Sequence, residues 1–86
     1  MEIKKELMKR TIAGDTFLVP VGKAVYDSNG MFFLTEVGTF IWDLLPDALS
    51  QEEIVAAVLS QYEVDEATAQ ADVAAFLKKL TDMEIL

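Results

Sequence analysis

The run FFLTEVGTFIWDLL, residues 32–45, constrains the fold more than any other part of this chain. Met31, Phe32, Phe33 and Leu34 form a short β-type run, and Thr35 then supplies a side-chain oxygen suited to capping a helix. Val37, Phe40, Ile41, Leu44 and Leu45 follow at helical spacing. A strand therefore feeds directly into an amphipathic helix. The helix is expected to end near Leu45, because Pro46 disfavours helical geometry in the residue before it. Gly38 within it costs about 1 kcal/mol relative to alanine, which points to a close approach of backbones. Trp42 is expected in the core, with the core's edge as the alternative.

Upstream, residues 6–13 alternate weakly, with Leu7, Lys9 and Thr11 on one side and Met8, Arg10 and Ile12 on the other. They predict a short strand of open register. Ala13-Gly14-Asp15 is a turn signal, and Thr16-Phe17-Leu18-Val19 makes the second arm of a hairpin. Pro20 lacks an amide donor and is expected at the end of that strand. Residues 22–30 have glycine at both ends and the turn cluster Asp27-Ser28-Asn29-Gly30, and so predict a connecting loop before a third strand, residues 31–34.

Downstream, Ser50-Gln51-Glu52-Glu53 is a capping box, and Ile54, Val55, Val58 and Leu59 give a second helix its buried face to about Gln61. Pro46, Asp47, Ala48 and Leu49 form the turn that precedes it. Asp65 caps a third, longer helix with the apolar stripe Ala69, Val73, Phe76, Leu77 and Leu80, and Lys78 and Lys79 near its end suit the helix dipole. Met83, Ile85 and Leu86 make an apolar tail that is expected to pack back. Three strands followed by three helices is an α+β chain, a three-stranded antiparallel sheet with the helices of a winged helix-turn-helix. At 86 residues, a single domain over residues 1–86 is expected.

The chain has no cysteine and no histidine. The first excludes a disulfide framework and a thiolate zinc site, and the second removes the usual general base and the commonest zinc ligand. Catalysis is thereby disfavoured, and no cofactor or metal is expected. The net charge of −8 is uneven: residues 31–86 hold eleven acidic side chains and only Lys78 and Lys79 as basic ones. Such helices repel a phosphate backbone, so nucleic acid is a poor partner and a basic or apolar peptide surface a better one; a merely solubilising acidic face is the alternative. Lacking a continuous apolar run, the N-terminus MEIKKELMKR reads as neither signal nor anchor, so no membrane association and a cytoplasmic location are expected.

Catalytic templates fail. The four glycines belong to no phosphate loop. Asp27-Ser28 superficially matches the carrier serine of acyl carrier proteins, but here it precedes a strand and does not open a helix. Glu52-Glu53 and Glu63, Asp65 and Glu66 lack a loop that converges five or more oxygens, so solvated carboxylates are expected. A geometric feature remains. The strand at residues 31–34 carries no charge, and as an edge beside the third helix it would form a groove that an extended peptide enters as an added strand. A central or covered strand is the alternative.

Leu34-Thr35, Gly38 followed by Ile41-Trp42, Tyr62 and Val64, and Asp72-Val73 followed by Phe76-Leu77 and Leu80 occur in one order and spacing. Together they resemble the PqqD-like proteins, the recognition elements for precursors of ribosomally made, post-translationally modified peptides. The resemblance spans residues 7–86. It departs at Thr35, where many members have Asn, and at Pro46-Asp47-Ala48, where many have Asp-Gly; both are capping or turn positions. The resemblance implies a winged-helix fold that binds the leader segment of a precursor peptide and presents it to a modifying enzyme, often a radical S-adenosylmethionine enzyme. It implies that the leader pairs with the backbone of Met31, Phe32, Phe33 and Leu34 and rests on the third helix at Asp72, Ala75, Phe76 and Lys79. Asp72 or Lys79 is expected to meet leader charges, while Phe76 has the core as its alternative place. Pyrroloquinoline quinone synthesis and other peptide products both remain open, as do a monomer and an edge-mediated or swapped dimer. A winged-helix DNA-binding regulator, and a structural subunit that sustains an enzyme without touching peptide, are the rival expectations.

Overall fold

A computed structural model describes residues 1–22, 32–48 and 50–86. Among these, the strands β1 (Leu7–Ile12), β2 (Asp15–Pro20) and β3 (Phe32–Leu34) precede the helices α1 (Glu36–Leu44), α2 (Gln51–Gln61) and α3 (Glu66–Asp82). The winged-helix order is the expected one. The loop expected at residues 22–30 lies outside the described residues from Lys23 onward, as does Met31.

The β1–β2 ladder closes at Ile12 and Asp15, leaving Ala13 and Gly14 as a two-residue turn. Their φ values of 53° and 85° are the positive ones that match a hairpin's twist. β2 is central in the order β1-β2-β3, with both pairings antiparallel. Pro20 is the last residue of β2, where its missing donor costs the ladder least.

Residues directly opposite each other share a face of the sheet. Leu18 faces both Lys9 and Phe32, so Leu7, Lys9 and Thr11 share the side of Leu18, Phe32 and Leu34 that packs on the helices. Met8, Ile12 and Phe33 are exposed on the other side. The open register of β1 is thus decided by its central neighbour. Lys9, on the inner side, reaches Asp43 of α1 with two contacts of 2.8 and 2.9 Å.

Each helix begins at a side-chain cap: the oxygens of Thr35, Ser50 and Asp65 accept from the amides of Gly38, Glu53 and Thr68 at 3.0, 3.2 and 2.7 Å. α1 stops at Leu44, and the chain tightens into a 3₁₀ turn, Leu45–Asp47, that holds Pro46 near its start. The turn expected over Pro46-Asp47-Ala48-Leu49 is therefore a continuation of the helix as a tighter spiral, with Leu49 outside the described residues. One core unites Leu18 and Leu34 of the sheet with Ile41, Trp42, Leu45, Ile54, Val58, Val73, Leu77 and Leu80. Trp42 is 9% exposed and belongs to that core. Ile85 is buried, with its amide on the Leu80 carbonyl at 2.9 Å and its carbonyl on the Lys4 amide at 2.7 Å, so the tail packs back as expected.

Candidate functional site

Antiparallel pairing with β2 uses the hydrogen-bonding groups along one edge of β3, and those along the other edge point away. No further strand pairs there among the described residues. α3 stands beside this open edge. The Phe76 ring meets Phe32 edge-on at 6.3 Å, and the Lys79 ammonium lies 5.3 Å from the centroid of the Phe32 ring. Farther along, Asp72, Ala75 and Phe76 face Thr35, Val37, Gly38 and Ile41 across a depression of about 300 Å³. α3 therefore runs antiparallel to β3, with Lys79 at the Phe32 end and Asp72 beyond the Leu34 end. Asp72, Ala75, Phe76 and Lys79 share one helical face by their spacing.

The three described strand positions differ in what they offer only through the pleat. Phe32 is half-buried toward α3, Leu34 is 3% exposed and locked in the core, and Phe33 is 53% exposed on the opposite face. Phe33 rests edge-on against Phe17 at 5.6 Å. Leu34 thus has backbone to offer a ligand, and Phe33 offers a side chain as well. Of the helix wall, Asp72, Ala75 and Lys79 are exposed and Phe76 is half-buried. Phe76 belongs to both the core's margin and the groove. Met31 lies outside the described residues.

Gly38 differs from expectation. A Cβ there would sit 3.1 Å from the Thr35 hydroxyl oxygen, 3.4 Å from Cε1 of Phe76 and 3.7 Å from Cδ2 of Leu34, so the three nearest atoms all belong to side chains, among them the cap and the groove's own ring. Beyond Leu34 lies a second hollow of about 470 Å³, which sequence reasoning missed. Asp15, Phe33, Glu36, Phe40 and Tyr62 are among its walls, and Phe40 and Tyr62 meet edge-on at 5.5 Å. Asp15 and Glu36 are far apart in sequence, and in sequence Glu36 is simply a first-turn acid that suits a helix dipole.

Away from the groove, hydrogen bonds from Thr68, side chain first and backbone amide second, hold the Asp65 carboxyl below its ordinary value. Among the described residues, no three His, Cys, Asp or Glu side chains gather as a metal site. No helix among them is long and apolar enough to cross a membrane. Among the described residues, the groove presents a strand edge with no partner strand, two aromatic rings, a depression lined in part by Gly38 and Ala75, and the charges of Asp72 and Lys79 toward its two ends.

The family model described as "Coenzyme PQQ synthesis protein D (PqqD)" matches residues 22–86. No curated protein matches the chain. Among solved structures, the chain is similar to "TbiB1 in Complex with the TbiA(beta) Leader Peptide", with 31% identity and a TM-score of 0.74 over 100% of this chain and 94% of that one. That protein was solved with a leader peptide bound.

Proposed function

The chain belongs to the PqqD family, and from this we propose that it binds the leader segment of a ribosomally made precursor peptide and presents it to a modifying enzyme. One observation carries the reading: among the described residues the β3 edge has no partner strand and lies beside α3, in a fold shared with a protein solved with a leader peptide. The leader adds as a strand along residues 31–34 and rests on Asp72, Ala75, Phe76 and Lys79. Main-chain hydrogen bonds fix its direction, and two or three apolar side chains supply most of the affinity. Each contributes about 1.5–3 kcal/mol when fully buried, set against the cost of ordering a flexible peptide.

The protein acts here as an adaptor and leaves the chemistry to its partner, for which a radical S-adenosylmethionine enzyme is the class the family suggests. Residues 1–86 work as one recognition domain, and the place of action is the cytoplasm, where ribosomal precursors are made. Pyrroloquinoline quinone and other peptide products fit this reading equally. The acidic helices disfavour the DNA-binding alternative.

The test is a titration of the labelled leader from a neighbouring precursor gene into the isolated protein. Saturable binding is expected, and Phe33→Asp should weaken it roughly tenfold, equivalent to about 1.4 kcal/mol, while the domain stays folded, since Phe33 is exposed. Full affinity in the folded variant would move the site elsewhere. Absence of leader binding, with the enzyme still bound, would favour the structural-subunit reading.

A further inference from the structure

The two ends of the groove differ in charge. At the Phe32 end, Lys79 holds its ammonium over the Phe32 ring, while its neighbour Lys78 is tied to Asp82 at 2.7 Å on the outer side. At the Leu34 end, Asp72 lines the depression and Glu36 and Asp15 line the adjoining hollow. None of these three carboxylates has an ion-pair partner among the described residues; the nearby Asp43 is the one that Lys9 occupies. Asp72 and Lys79 stand along the track that an added strand would follow, whereas Asp15 belongs to β2, on the other side of β3 from its open edge.

The spacing is set by the helix. Asp72 and Lys79 are two turns apart on one face, about 10 Å along the axis. An extended peptide covers that distance in about three residues, so side chains two or four positions apart, both turned toward α3, reach the two ends. Direction follows from the sheet. Both existing pairings are antiparallel, and antiparallel pairing is the more stable per residue, so a strand added to β3 runs opposite to it. Its N-terminal part then lies at Leu34 and its C-terminal part at Phe32.

Resting on the leader-binding reading above, we propose that Asp72 and Lys79 make the groove select a polarised peptide strand, in which a Lys or Arg precedes an Asp or Glu by two to four positions. The pair also sets direction, because a strand entered backwards would bring like charges together at both ends.

The probe is a library of short random peptides displayed on yeast, selected with the purified domain and with the charge-swapped variant Asp72→Lys/Lys79→Asp. Both positions are exposed, and circular dichroism checks that the variant is folded. The wild-type domain should enrich basic-before-acidic peptides, and the swapped variant acidic-before-basic ones. Each solvent-exposed pairing is worth about a two- to fivefold change in affinity, shrinking with added salt. If the swap disturbs folding, Asp72→Asn and Lys79→Met serve instead, the latter keeping an apolar stem on Phe32. Asp72→Asn should lose the basic preference and Lys79→Met the acidic one. Identical charge order in wild type and variants, with the selected peptides still shifting the residue 32–34 amides, would overturn the proposal and leave leader recognition standing. Selected peptides that leave those amides unmoved would overturn both.

Discussion

Thr35 marks the point where the strand becomes a helix, and it satisfies the backbone on both sides. Its hydroxyl oxygen accepts the Gly38 amide at 3.0 Å, and its carbonyl accepts from both the amide and the hydroxyl of Thr39 at 2.8 Å. Thr35→Ala should lower stability by about 1 kcal/mol in urea unfolding, and Thr35→Asn, another good cap, should restore most of it. Equal midpoints for all three proteins would deny the cap its role. Gly38 is tied to the same oxygen. Alanine there gains about 1 kcal/mol of helix propensity, but its Cβ crowds the capping oxygen and the Phe76 ring. Gly38→Ala should therefore stay within about 1 kcal/mol of wild type while shifting the Phe76 ring signals and weakening leader binding. A full propensity gain with Phe76 unmoved would mean that the neighbours yield freely. The cap was legible in the sequence because its partner is three residues away. The ring against Gly38 was not, because helical periodicity gives Phe76 a stripe and says nothing of which element it meets.

The elements show the same division between local and distant causes. All three helix starts were read from Thr35, Ser50 and Asp65, since capping is a matter of neighbouring residues. Asp65 adds a pH dependence. Its folded-state pKa is lowered from 3.8, so its contribution to stability is present above that value and is lost as pH falls through the lower, folded one. The stability difference between wild type and Asp65→Ala should therefore be constant near neutrality and shrink in acid below pH 3.8. A difference that grows on acidification would contradict the cap. The register of β1 was not legible. Both of its faces mix apolar and charged residues, and only the position of buried Leu18 opposite Lys9 decides which one turns inward. The hollow bounded by Asp15 and Glu36 was missed for a related reason: a hairpin tip and a helix start meet there only after the sheet has formed.

At the scale of the whole molecule, the helices turn a three-stranded sheet, too small to stand alone, into one side of a shared core. Leu18 is fully buried at the centre of the sheet's inner face, and Leu18→Ala should cost about 2–5 kcal/mol. Against a total stability of about 5–15 kcal/mol for a domain, thermal unfolding should show a large drop in midpoint. A shift of only a degree or two would mean that the sheet is not anchored through this residue. The order of strands and helices was legible because each period and cap is local, and the uncharged strand already pointed to an open edge. The sequence did not show the antiparallel course of α3 along that edge, which brings Lys79 to Phe32 and Asp72 past Leu34. The central claim is that a leader peptide extends the sheet at β3. Backbone amide shifts and hydrogen exchange on titration with the leader test it most directly. Shifts and new protection centred on residues 32–34, with shifts along the α3 face of Asp72, Ala75, Phe76 and Lys79, are the predicted result. Saturable binding that leaves those strand amides unshifted and freely exchanging would contradict it.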